Sequence, residues 1–427
     1  MATNKIPRER AERVRAVLVA TFFVQSMVVT AIIVRIPEII ENLGLSNNLA
    51  LWGTITGFSG IGSILSLLFA SRIIERLGTT RVVLFGTLTS TVIAGLLPII
   101  TNYVVYFFLI LSSAFIFSLF NNAANEQALM VQHRLKRVII GGVHGAWSLG
   151  VGVTSLVSGL LAAYVPLAIH IGVLAAIGLC IHLALNTQLM NREEQRISKP
   201  TQKLEAKVSW LKTPKFVWLI SLGMFVGVWP ELVMGDWMPL YSRTILDLEP
   251  VQLAVPFAAF SGAMIIGRFG TGWISERIHV NKAASIGGYV GAVAMTLGLV
   301  SGLTLINYNV WLAIVVESVF FFIAGLGESI QVPAFYSAVS HIREIPSSQA
   351  LARMNMASSP MVISAKALMG LLASTVGLVW AMVFPIAAFL ASGLVQRMVG
   401  KRARFRETQN LTAFPPTGTI PVQVMKD

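Results

Sequence analysis

Polar and apolar residues alternate along this chain on the scale of tens of residues. Long apolar runs are broken by short charged clusters. A run of about 20 apolar residues is long enough to cross the hydrocarbon core of a bilayer as a helix. Twelve stretches qualify: 15–37, 49–70, 82–100, 104–130, 138–164, 165–187, 215–241, 250–274, 283–304, 309–338, 350–375 and 377–399. The pattern predicts an all-α integral membrane protein with twelve transmembrane helices. The spans around Pro166 and Gly377 are separated by very tight turns. One long polar interruption divides the spans six and six. The predicted organisation is an N-terminal six-helix bundle (1–187), a linker (188–214), a C-terminal six-helix bundle (215–399) and a tail (400–427). Within the linker, Leu204 to Leu211 suits a short amphipathic helix anchored at the surface by Trp210. The tail after Arg406, with Pro415 and Pro416, reads as disordered.

Composition agrees with a bilayer as the main solvent. Charged residues are 12% of the 427 and hydrophobic ones 55%, against roughly 25% charge in soluble domains. The formal charge of +13 does not point to nucleic acid, because it sits on alternate loops: Arg8 to Arg15, Arg72 to Arg81, Arg134 to Arg137, the linker lysines, Arg277 and Lys282, Arg343, and Lys401 to Arg406. The other loops carry little beyond Arg35 and Arg243. This bias places both termini in the cytoplasm and the basic rim against anionic lipid. The basic N-terminus followed by a long apolar run, with no small-residue cleavage site, reads as an uncleaved first helix. Cys180 is the single cysteine, so no disulfide within the chain is possible. His133, His170, His182, His279 and His341 show no metal-ligand spacing. No phosphate-binding glycine loop follows a strand. Neither cofactor nor metal is expected.

A charged loop occurs twice. Ser71 to Gly78 contains Glu75-Arg76, and Gly272 to His279 contains Glu276-Arg277, 201 positions later. A repeated loop at half the chain length is what duplication of a multi-span unit leaves behind. Twelve spans in two sixes with this loop after spans 2 and 8 resemble the major facilitator superfamily, whose loop reads Gly-x-x-x-Asp-Arg-x-Gly-Arg-Lys. Here Glu stands for Asp, Ser71 replaces the leading glycine, and Thr79-Thr80 replace the basic pair. A finer resemblance is to a bacterial branch with fucose-permease-like members. It rests on Arg35-Ile36-Pro37, Asn125, Arg134 to Arg137, His144-x-x-x-Ser148-x-Gly150 and Gly235-Asp236-Trp237-x-x-x-Tyr241. Span 5 lacks the Gly-Pro signature of the drug-antiporter branches. The resemblance implies two pseudo-symmetric bundles, a monomer in the bacterial inner membrane, gating by Glu75, Arg76, Glu276 and Arg277, and a sugar- or polyol-like solute.

A charge near the bilayer centre costs about 2.5–3.5 kcal/mol on insertion scales, so each one needs a reason. Glu231 follows Pro230, which removes a backbone donor and frees the carbonyl near Val226. An acid beside a broken helix suits a solute or proton site, and a structural ion pair is the alternative. Asp236 and Trp237 lie one and a half turns further along. Lys366 sits inside span 11 with no short route to an interface, so it should face a carboxylate, Glu231 or else Glu317, or an anionic solute. Asn122, Asn125 and Glu126 share one face of span 4, and Glu328 in span 10 mirrors Glu126 one repeat on. Gln25, Arg35 and His144 complete the candidate cavity.

These residues predict a carrier, not an enzyme. The expected function is secondary transport of a small polar solute by alternating access, coupled to protons through Glu231 or Asp236, as in symport. A drug or metabolite efflux antiporter, and a non-transporting sensor or docking protein, are the alternatives.

Overall fold

The computed structural model describes residues 6–135, 139–198, 209–339, 342, 344–345 and 347–413. Its regular elements are helices, and twelve are long and apolar enough to span a membrane. They are span 1 (Arg8–Asn42), span 2 (Leu49–Leu77), span 3 (Thr79–Ile99), span 4 (Tyr103–Leu135), span 5 (Gly142–Ala162) and span 6 (Leu167–Asn186). The second set is span 7 (Lys215–Thr244), span 8 (Pro250–Thr271), span 9 (Val280–Leu305), span 10 (Val310–Val339), span 11 (Gln349–Thr375) and span 12 (Leu378–Arg402).

Several helices run past the apolar stretches, because a hydropathy window finds only the part suited to hydrocarbon. Span 1 starts seven residues earlier than its apolar core, and the last helix continues to Ala413. That correction concerns part of the tail read as disordered; 414–427 lie outside the described residues. So does most of the predicted Leu204–Leu211 helix, of which Trp210 opens a 3-10 turn. Turns are tight where expected, with Gly377 at φ +87° before span 12. In the loop after span 2, Gly78 takes φ +80°, a conformation glycine adopts without a Cβ penalty.

Proline positions explain the breaks. Span 1 gives way near Thr30 to a 3-10 turn, and a helix resumes at Ile36 with Pro37 in its first turn. Span 7 breaks between Gly227 and Trp229, with Pro230 in the first turn of its second half. Proline has no N–H to give the preceding turn, so a helix can start there but not pass through unaltered.

Packing differs between the two ends of the molecule. At the end away from the termini, one apolar core joins both sets of helices: Val34 and Trp52 pack in the same cluster as Trp237, Tyr241 and Phe260. At the end that carries the termini the cores are separate. One contains Val14, Phe22, Phe120 and Val131, the other Phe216, Ile220, Phe335 and Val399. Spans 2 and 11 meet closely, since a Cβ added to Gly53 would lie 2.6 Å from Gly370 Cα and 2.7 Å from the Lys366 carbonyl oxygen. Spans 5 and 8 form a second contact between the two sets of helices, and the part of span 1 beyond its kink packs on spans 7 and 8 as well.

The duplication shows in buried glutamines. Gln127 of span 4 donates to Thr79 and Thr80 Oγ1, both at 2.8 Å. Its counterpart Gln331 of span 10 donates to the Ala284 carbonyl at 2.8 Å and accepts from Ser392 at 2.7 Å. Each ties the helix after the repeated loop to the middle of its bundle. A buried amide needs such partners, because an unmet one costs free energy comparable to a lost hydrogen bond.

Candidate functional site

Between the bundles lies a cavity of about 220 Å³ lined by spans 1, 5, 7 and 8. The break in span 7 puts Glu231 in the first turn of a new helix half, with Asp236 further along on the same wall. Arg268 of span 8 reaches Glu231, with Nη2 3.0 Å from Oε2. Lys366 of span 11 sits against Asp236, Nζ to Oδ2 at 2.5 Å. The second contact is an ion pair without the alignment of a hydrogen bond, so Asp236 Oδ2 still lacks a well-oriented donor.

The expected pairing of Lys366 with Glu231 or Glu317 is therefore corrected. Asp236 takes the lysine because spans 7 and 11 pack in one bundle at that level, whereas Glu231 faces span 8. Glu317 is fully buried and has no hydrogen-bond partner for either oxygen among the described residues. It lies beside Gly302 of span 9, where an added Cβ would be 2.9 Å from Glu317 Oε1.

Glu328 lies behind the cavity. It is 2% exposed, neither oxygen has a hydrogen-bond partner among the described residues, and it is near enough to Glu231 and Arg268 to feel both charges. Of the two carboxyls, only Glu231 is in contact with the guanidinium.

His144 and Asn125 come together, with His144 Nε2 3.2 Å from Asn125 Oδ1. The amide oxygen accepts, so Nε2 carries the hydrogen in this contact. Asn125 Nδ2 in turn donates to Asn121 Oδ1. The His144 ring packs edge-on to Phe22, centroids 5.4 Å apart, and Trp147 and Ser148, one turn on, reach the cavity.

Of the expected cavity residues, Glu231 and Asp236 line it, whereas Gln25, Arg35 and Trp237 are fixed in packing elsewhere. Gln25 is buried between spans 1 and 3 and donates to Ser90 Oγ at 2.8 Å, because a buried amide is drawn to the nearest hydroxyl rather than to an aqueous space. Arg35 is 1% exposed, paired bidentately with Glu38, and bound to the Val165 carbonyl and His170 Nδ1. It locks the turn between spans 5 and 6 onto the kink of span 1. Trp237 is fully buried in the core that joins the bundles.

In the repeated loops, Glu75 and Glu276 are exposed and have no ion-pair partner among the described residues. The Arg76 carbonyl accepts a hydrogen bond from Arg192 of the linker helix Arg192–Ser198. Arg277 stacks over the Trp273 ring at 3.9 Å and donates to the Trp273 carbonyl. Outside the membrane, Arg10 donates to both carboxylate oxygens of Glu194 at 2.8 and 3.0 Å, holding that carboxyl below its usual range despite the opposing effect of burial.

Arg268 and Arg353 escaped the sequence reading. Their signal was present: each is a lone arginine within an apolar span, where a charge needs a reason. Arg353 is buried, donates to Thr213 Oγ1 at 2.8 Å, and fastens the linker end to span 11. No group of three metal-ligating side chains occurs among the described residues.

The family model for the Major Facilitator Superfamily matches residues 18–365. An uncharacterised MFS-type transporter of Yersinia pestis is 22% identical over 356 residues, covering 82% of this chain and 87% of that protein. An uncharacterised transporter of Sinorhizobium fredii is 25% identical, with 74% and 80% covered. Among solved structures, a bacterial homologue of the human lysosomal transporter Spinster, inward-facing and unoccupied, superposes with a TM-score of 0.70 at 12% identity over 96% of this chain and all of the other. The nucleoside transporter NupG gives 0.63 at 11% identity over 92% of this chain and 99% of its own. With the twelve spans and the repeated loop, these findings identify the chain as a multi-pass membrane protein and a transporter belonging to the Major Facilitator Superfamily.

Proposed function

We propose that this transporter carries a small polar solute by alternating access and couples its movement to protons. The observation that carries the reading is the pair of partly exposed ion pairs, Glu231–Arg268 and Asp236–Lys366, beside a cavity walled by helices of both bundles. Ion pairs are costly in a membrane interior and are found there mostly where a solute or ion must be met. The shared core at one end and separate cores at the other fit one end-state of a rocking motion. With both termini cytoplasmic in a bacterial inner membrane, as the charge bias supports, that state faces inward.

Coupling is assigned to Glu328. Glu231 and Asp236 each have a cation in contact, whereas Glu328 is buried with no hydrogen-bond partner among the described residues. A buried carboxylate without a cation in contact is costly in a low-dielectric site, so Glu328 is the carboxyl suited to carry a proton while Arg268 is committed to Glu231. A solute that redirects Arg268 alters the need for that proton, which links the two cargoes. Purified protein in liposomes should show saturable counterflow of a member of a broad solute panel, and a pH gradient should drive accumulation of that solute. No counterflow of any solute would defeat the reading.

A further inference from the structure

Glu231 and Arg268 form an ion pair with open space beside it. Side-chain exposure is 37% and 36%, against 21% and 20% for Asp236 and Lys366. Both members of the first pair border the cavity. The formal charges of the four groups sum to zero.

Those charges restrict what can bind. A net anion would take Arg268 and leave Glu231 without its cation. A net cation would do the reverse to Arg268. Leaving one member of the pair alone is unfavourable, by less than for a fully buried pair because each side chain is over a third exposed, so the pair discriminates against both. A polyol offers only neutral hydroxyls and leaves the pair closed on itself. A solute carrying both charges can open the pair and give each member a partner of the sign it lost.

The wall beneath Arg268 adds a second requirement. Phe257, Phe260 and Met264 precede Arg268 on span 8 at intervals of three and four, so they share its face, and all border the cavity. Trp147 of span 5 borders the same space. A solute with its charged end at Arg268 would lay the rest of itself along an apolar strip.

We propose that the solute is a zwitterion with an apolar side chain, of the α-amino acid class, its carboxylate bound to Arg268 and its ammonium to Glu231. In such molecules the two charged groups are attached to one carbon, which suits two sites as close as these, whose atoms lie 3.0 Å apart. This assignment rests on the transporter reading above and names the class of its solute.

The test is thermal stabilisation and calorimetric titration of the purified full chain with leucine, methionine and phenylalanine. Each is compared with its amide, which lacks the carboxylate, and its N-acetyl derivative, which lacks the ammonium. At least one free amino acid should bind, and both blocked forms of it should bind roughly 10- to 100-fold more weakly. The double variant Glu231→Gln/Arg268→Gln should melt as cooperatively as the parent, because neither member of the pair is left alone, and should have lost amino-acid binding. A blocked form bound as tightly as the free amino acid would overturn the assignment. So would a double variant that binds as the parent does, or a polyol that is bound and transported while all three amino acids are not. This last result would leave the transporter reading standing, whereas absence of transport for every solute would remove both.

Discussion

Lys366 of span 11 meets Asp236 of span 7, Nζ to Oδ2 at 2.5 Å, and leaves Glu231, five residues earlier, to Arg268. The two pairs differ in partner helix, span 11 for Asp236 and span 8 for Glu231. Lys366–Asp236 closes within the C-terminal set at the level where span 2 presses against span 11. Removing one member of a buried pair costs about 3–5 kcal/mol. With each side chain about one-fifth exposed, solvent screening lowers the expected cost of Lys366→Met to roughly 1–3 kcal/mol. Lys366→Met with Asp236→Asn should recover most of that loss in thermal unfolding, and Lys366→Met with Glu231→Gln should not. Recovery with the Glu231 partner instead would contradict the pairing.

The contact of span 2 with span 11 depends on the absence of a side chain at Gly53, where the nearest atoms are backbone of Gly370 and Lys366. Backbone cannot swing aside as a flexible side chain can. Gly53→Val should therefore disfavour the arrangement in which these helices touch. Spin labels placed near the ends of spans 1 and 7 away from the termini, with Cys180 replaced, should report longer distances in the variant. Unchanged distances would mean that the close approach is not needed for this state.

For Glu328, neutralisation separates coupling from carriage. Glu328→Gln should abolish solute accumulation driven by a pH gradient while leaving solute exchange within about two-fold, since exchange needs no net proton movement. Accumulation at the parental level would move the coupling role to another carboxyl.

Glu194 gives a pH dependence outside the membrane. Its carboxyl is held below the usual glutamate range by the Arg10 guanidinium, so the folded form binds its proton less tightly than the unfolded chain does. The contribution is fully present above the unfolded value and is lost as the pH falls through the folded one. At neutral pH the contact is worth about 1 kcal/mol. Amide hydrogen exchange of residues 188–198 should be faster in Glu194→Gln at pH 7, and the difference between variant and parent should shrink as acidification protonates the parent's Glu194.

Span number and the family were both legible in the sequence. They depend on apolar length and on a repeated loop, both properties of the chain read in order. Charged residues within spans could likewise be found by type, as Glu231, Asp236, Glu328 and Lys366 were. Partners were not legible, because a pairing depends on which helix faces which at a given depth. Lys366 thus took Asp236 rather than Glu231, and Arg268 went unnoticed in an otherwise apolar stretch. Gln25 and Trp237 have the chemistry of cavity residues but the burial of packing residues, a distinction that appears only once the helices are assembled.

The central claim is that solute passes through the cavity built on Glu231 and Arg268. Counterflow into liposomes by the parent and by Glu231→Gln/Arg268→Gln, both verified as folded, tests it most directly. The account predicts saturable uptake of a panel solute by the parent and none above empty liposomes by the double variant. Equal uptake by the two proteins would contradict it.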